Sequence, residues 1–551
     1  MKTQAISSQG ASLSLWHDTA PRRAFPKLEK DMDVDVCIIG GGIGGLTTAY
    51  LLSLEEKKVC LIEGSEIGSG QTGRSTSQLT NALDDRYHNI ARLHGDQGAY
   101  LAAESHSAAL KKAEEIIHKE NIDCDFKFVD GYLFSAPGSS LEEIFKEHEA
   151  IHKIGHFDVN IVKGAPIDSF DTGPALHFSK QIKLHPIKYL NGLADSFIKR
   201  GGQIFTHTHA QEIKGGEKAF VKTRDGTFIR AKSIVVATNT PINDLFAVHT
   251  KQAAYRTYVI AAKIPKGLLA DALYWDTLDP YHYFRTDSLT KTDPDFETHE
   301  MLVVGGEDHK TGQNDHPDES FTRLEKWTKS RFPAVGEILY TWSGQVMEPV
   351  DGLAYLGHNP MDKNNVYVIT GDSGNGMTHC TIGGILITDQ IMKRENFWEK
   401  LYSPSRISLR SSADYLSANL NVALQMTEWF KAKPLTELDQ IVREEGEIFR
   451  KGLQIYAAYK NEYGRVELHS AVCPHLGGVV RWNRVEKSWD CPCHGSRFDC
   501  HGKVIEGPAV SNLKTFEDID PSDYKTLNIG VEAEDLTHEA VELMRPPDLI
   551  T

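Results

Sequence analysis

Four residues near the C-terminus carry the plainest chemistry in the chain. Cys473 and His475 form C-x-H, Cys491 and His494 form C-x-x-H, and fifteen residues separate the pairs. Thiolates and imidazoles in two short loops are metal ligands. They suit either a tetrahedral zinc ion or a two-iron cluster in which two thiolates hold one iron and two imidazoles the other. Spacing alone leaves both open. A second constellation lies more than four hundred residues upstream, where Gly40, Gly42 and Gly45 give G-x-G-x-x-G. The first glycine permits a tight turn, the second lets a pyrophosphate approach the backbone, and the third lets helix and strand pack closely. An acid is then expected about twenty residues on, to bind a ribose hydroxyl, and Glu63 stands there.

The elements that must hold these groups follow from hydrophobic periodicity. Residues 34–40, VDVCIIG, read as a buried parallel strand. A glycine turn, a helix over residues 41–54 and a second buried strand at residues 59–64 complete a βαβ unit. Further apolar strands are predicted within residues 227–241, and a strand, glycine turn and helix within 364–391. The nucleotide-binding sheet is therefore assembled from separated pieces, about 34–82, 186–244 and 342–400. A substrate domain is threaded between them at about 83–185 and 245–341. Residues 1–33 form an N-terminal extension, 401–433 a helical linker, 434–517 a small β domain and 518–551 a polar tail.

The 551 residues exceed what one core organises. A net charge of -16 argues against binding nucleic acid or an anionic membrane. Mean hydropathy of -0.37 is that of an ordinary soluble protein, no membrane span is expected, and a cytoplasmic location is. Eight cysteines in so long a chain do not make a disulfide scaffold.

The segments GGGIGGL, IEGSEIGSGQTGRS, AQEI, IVVAT and TGDSGNGMT, spread over about residues 34–395, resemble the FAD-dependent amine and amino-acid oxidoreductases of the D-amino-acid oxidase and glycine oxidase type. The resemblance implies an α/β, Rossmann-like FAD-binding domain with an interleaved α+β substrate domain. It adds Gly73, Arg74, Ser75, Ala210 and Thr238 to the cofactor residues. It also places Gly374, Asn375, Gly376, Met377 and Thr378 at a helix start aimed at the flavin pyrimidine end, where the helix dipole stabilises negative charge. His185, Arg285 and Tyr258 are the catalytic candidates, with Arg285 a fork for a substrate carboxylate and Tyr258 or Tyr283 expected to line an aromatic pocket. The second dinucleotide fingerprint of NAD(P)H-driven flavoenzymes is absent from the sequence.

At the C-terminus, LGG after the first ligand pair, HGS at the second and GPA at residues 507–509 resemble the two ligand loops and the covering proline loop of Rieske proteins. The resemblance implies a small all-β domain holding a [2Fe-2S] cluster on Cys473, His475, Cys491 and His494. Cytochrome-complex Rieske proteins have a cysteine at the place of Gly478 and a tyrosine at that of Phe498. Here Cys493 is expected to stay a free thiol, and the lost donor implies a potential in the lower part of the Rieske range of about -150 to +300 mV. A flavin accepts two electrons and a Rieske centre carries one. The expected function is oxidation of a small amine or amino-acid-like substrate by hydride transfer to the flavin, with electrons leaving singly through the cluster to a one-electron carrier or quinone-like acceptor. Reverse flow from cluster to flavin, or a redox sensor without turnover, are the alternatives.

Overall fold

The structure is a computed structural model. It describes residues 10–136, 140–243, 248–314, 316–360, 362–407, 440–451 and 454–516, with a few further positions between 420 and 438. The expected helical linker lies mostly, and the tail wholly, outside the described residues.

Two sheets make up the first four hundred residues. In the first, Val366–Thr370, Phe228–Val236, Met32–Ile39, Val59–Ile62 and Gln203–Phe205 lie side by side in parallel, and Tyr355–His358 adds an antiparallel edge. Strands buried on both faces must be apolar throughout, and VCLI at residues 59–62 is wholly buried. The chain leaves Met32–Ile39 towards one side and returns on the other, so a crevice opens at the carboxyl ends of Met32–Ile39 and Phe228–Val236. The helices Ile43–Leu54 and Gly376–Ile391 pack against each other beside it, joining the two glycine turns.

The second sheet runs Ile338–Pro349, Gln252–Pro265, His299–Lys310, His282–Asp287, Ala272–Asp276, Lys127–Phe134, Ala175–Lys183, Gln78–Leu79, with Val159–Val162 on Ala175–Lys183. It crosses two expected boundaries. Ile338–Pro349 pairs along its length with Gln252–Pro265, so residues 342–349 belong to the larger sheet. Gln78–Leu79 also joins it. Long-range pairing decided both, and local apolar runs did not reveal it.

The C-terminal domain consists of two four-stranded sheets. One ends in Glu445–Lys451, Gln454–Lys460 and Val466–Ser470; the other is the meander Arg481–Asn483, Ser488–Asp490, Arg497–Asp499, Val504–Glu506. Its core joins Trp489, Phe498 and Val480 to Cys473, Cys491 and Cys493. No described helix is long and apolar enough to cross a membrane.

Candidate active site and metal centre

A cavity of about 570 Å³ opens at the crevice of the first sheet and continues to the face of the second. Its dinucleotide end is built from backbone. Gly40 has φ +112°, and a Cβ there would lie 2.2 Å from the Ala237 carbonyl oxygen. A Cβ on Gly45 would lie 2.0 Å from the Gly40 carbonyl oxygen, so the third glycine sets the helix onto the strand without lining the cavity. Gly42 caps helix Ile43–Leu54 without a side chain of its own; the Ile43 N–H donates to Thr72 Oγ1 at 3.1 Å, and the helix N-terminus faces the cavity where an anion is favoured. Glu63 is oriented by the Gly41 N–H at 2.7 Å and the Ser65 N–H at 2.8 Å, and burial raises its pKa. Ser75, Ala210 and Thr238 line the same cavity, as do Gly374, Asn375, Gly376 and Met377. A cradle that only glycine fits, a helix start facing the cavity and an oriented acid suit FAD.

Three expected cofactor residues act from behind the wall or elsewhere. Gly73 packs on the Gly68 carbonyl and His17. Thr378 bonds the Thr80 backbone, taking its N–H and donating to its carbonyl, both at 3.1 Å. Arg74 borders the cavity, but its guanidinium turns away to Ser12, the Ser343 carbonyl at 2.8 Å and Glu486 at 3.2 Å.

The three catalytic candidates all lie off the cavity wall. His185 caps helix Pro186–Lys199 through its Nδ1 and meets Thr19 Oγ1 at 3.0 Å; burial lowers its pKa to about 4. Arg285 pairs with Asp287, donates to the carbonyls of Ser77 and Leu184, and stacks over Trp16. Both terminal nitrogens are taken and the side chain is off the cavity wall, so this guanidinium does not receive a substrate carboxylate. Tyr258 Oη bonds His309 Nε2 at 2.7 Å, on the opposite face of its strand from Thr257, which does line the cavity.

The residues that form the far end of the cavity escaped the sequence reading, except for Tyr283. Trp275, Tyr281 and Tyr283 supply an aromatic wall, with Tyr283 Oη 2.7 Å from Thr257 Oγ1. Asp84 accepts from Tyr281 Oη at 3.3 Å, and burial raises its pKa. Asp372 accepts from the Met347 N–H at 3.1 Å and is raised by burial to about 6. Behind them the Ser373 hydroxyl lies between Asp85 and Glu348. Burial lifts Asp85 and Asp308 to about 7 and Glu348 well above the carboxylate range. Besides Arg74, the described arginines and lysines on the wall are Arg224 and Lys503; Arg224 Nη2 donates to the Val510 carbonyl at 3.2 Å, where the C-terminal domain meets the dinucleotide end.

The metal-ligand candidates come together in pairs. Among the described residues no three His, Cys, Asp or Glu side chains close on one point as a lone ion requires. The Cys491 thiol lies against those of both Cys473 and Cys493, and the His475 and His494 ring centroids are 5.1 Å apart. Thiol with thiol and imidazole with imidazole is the division a two-iron cluster needs. Gly477 and Gly495, at φ +77° and +79°, turn the two loops. Ser496 Oγ accepts from the Ala509 N–H at 3.1 Å and bonds the Cys473 sulfur. Cys493 is a free, buried thiol, and Phe498 is fully buried beside the ligands.

The cluster loops are docked onto the flavin half of the molecule. Gln345 lines the cavity, and its Nε2 donates to the Gly495 carbonyl at 3.0 Å, next to His494. The buried His249 ring sits 4.9 Å from that of His475 and 5.7 Å from that of His494. Glu486 fastens the contact. Burial alone would raise its pKa, but Arg74, Arg256 and Arg497 hold it at about 2.

Residues 35–390 match the family described as FAD dependent oxidoreductase, and residues 428–517 match the Rieske [2Fe-2S] domain. The protein YhfW of Bacillus subtilis (strain 168), named for a Rieske 2Fe-2S iron-sulfur centre, is 32% identical over 91% of this chain and 97% of its own. Gamma-glutamylputrescine oxidoreductase of Escherichia coli (strain K12) is 26% identical over 66% of this chain and 85% of its own. Glycine oxidase from Geobacillus kaustophilus shares the fold at TM-score 0.56 and 17% identity, covering 68% of this chain and 99% of that one.

Proposed function

The chain belongs to the FAD dependent oxidoreductase family and carries a Rieske [2Fe-2S] domain, and from that premise we propose that it oxidises a cationic amine and passes the electrons singly to an external acceptor. FAD supplies two-electron hydride acceptance and the [2Fe-2S] cluster one-electron carriage.

The observation that carries the substrate class is the acid and aromatic far end of the cavity. Asp84 and Asp372 line it, and Arg285, the candidate for a carboxylate, is engaged elsewhere. An ammonium group gains a charge-assisted bond to either carboxylate and a cation–π contact with Trp275, Tyr281 or Tyr283. An amine must be neutral to give up hydride, and a carboxylate raised by burial is a suitable acceptor for the ammonium proton. The start of helix Gly376–Ile391 faces the same space and stabilises negative charge there. The relative named for gamma-glutamylputrescine supports an amine. The Gln345–Gly495 contact supports the route outward, because one side chain touches both the cavity and a ligand loop.

Anaerobic mixing with a panel of amines and amino acids tests the substrate class. Bleaching of the flavin band by amines without a carboxylate, and not by the matching amino acids, is the expected result. Bleaching by amino acids alone contradicts it.

A further inference from the structure

One segment serves both cofactor sites. Residues 503–507, 509 and 510 line the FAD cavity, although they belong to the C-terminal domain. Their partners come from three separate parts of the flavin half. Glu506 Oε1 accepts from Gln71 Nε2 at 2.8 Å and from Asn239 Nδ2 at 3.1 Å. The Val510 carbonyl accepts from Arg224. A Cβ on Gly507 would lie 2.9 Å from Ile242 Cγ2, so the backbone runs tight against the strand end. These partners surround the dinucleotide end of the cavity, beside Ala210 and Thr238. On its other side the same segment covers the cluster loops, with the Ala509 N–H on Ser496, whose hydroxyl bonds the Cys473 sulfur.

The anchor that holds this segment down lies outside the cavity. Glu486 takes Arg74 at 3.2 Å, Arg256 at 3.4 Å and the Ser343 hydroxyl, all with side chains almost wholly buried. The N-terminal Ser12 adds a bond of 2.6 Å to the same carboxylate. Removing that charge takes from two buried arginines at the interface their nearest counter-ion.

We propose that the C-terminal domain is a structural part of the FAD site: residues 503–510 close the dinucleotide end of the cavity, and FAD leaves only when the domain undocks. The domain thus retains the cofactor as well as relaying electrons. Binding and docking are then linked, so each strengthens the other by the same factor.

Two measurements test this. In Glu486→Gln, which lines neither the cavity nor the cluster loops and meets the wall only from behind, through Arg74, FAD dissociation followed by flavin fluorescence is expected to be at least tenfold faster, with the visible circular dichroism of the cluster retained. A release rate within twofold of wild type overturns the proposal. The reciprocal measurement needs no variant: in wild-type protein stripped of FAD, backbone amides of residues 503–507, 509 and 510 are expected to exchange with deuterium at least tenfold faster than in the FAD-loaded protein. Equal exchange overturns the proposal even if Glu486→Gln fails to fold.

Discussion

Two sets of buried carboxylates in this molecule are treated in opposite ways. Glu486, between the domains, is surrounded by Arg74, Arg256 and Arg497 and held at about 2. At and behind the far end of the cavity burial outweighs the one nearby cation, Arg86: it raises Asp84, Asp372 to about 6 and Asp85 and Asp308 to about 7. The first set is neutralised from within the chain and fixes one arrangement of domains. The second has only Arg86 nearby, which does not offset burial, and it lies beside aromatic rings at a cavity. Under the proposed function a cation supplied from outside completes it. The difference separates a structural ion pair from a binding site, though both are clusters of charge out of water.

The largest effect is expected at the interface. Glu486→Gln should destabilise the protein by about 3–5 kcal/mol, the usual result of stranding buried charge, read by denaturant unfolding of the cluster and flavin signals. At the cavity the cost falls on binding. Asp84→Asn should raise KM for a cationic amine roughly ten- to hundredfold, the loss of one charge-assisted hydrogen bond, with FAD content unchanged.

The pH dependence follows the same division. Asp372, raised by burial to about 6 from an unfolded value near 4, binds more protons folded than unfolded between those limits. Its contribution to stability therefore falls as pH rises from about 4 to about 6. Melting temperatures of the substrate-free protein across that window should fall less in Asp372→Asn, and amine binding should tighten as pH rises through about 6. Glu486 works the other way: its contribution is present above about pH 4 and is lost as pH falls towards 2. The smallest effect concerns the cluster. Phe498→Tyr restores a hydroxyl beside the ligand thiols, and redox titration should show a higher potential than wild type, which itself should lie low in the Rieske range.

Both cofactor sites were legible because each is written in a few contiguous residues. Gly40, Gly42 and Gly45 and the later Gly374-Asn375-Gly376 need only their own strand, turn and helix to reach the crevice. Cys473, His475, Cys491 and His494 sit in two short loops with their own glycines. The substrate end was not legible. Asp84, Thr257, Tyr281 and Asp372 come from four distant segments, and Asp84-Asp85 before an arginine reads like any surface turn. Arg74 and Arg285 have the right chemistry for an anion, but long-range partners decide where a guanidinium points, and here Glu486 and Asp287 take them. The role of residues 503–510 on the cavity wall depends on domain docking, which no local pattern records.

The central claim is that electrons move from flavin to cluster within one chain. Anaerobic rapid mixing of the holoenzyme with a reducing amine, followed by absorbance and by freeze-quenched paramagnetic resonance, tests it most directly. Bleaching of the flavin band followed by the signal of a reduced Rieske cluster is the predicted result; a flavin that stays fully reduced beside an oxidised cluster would contradict it.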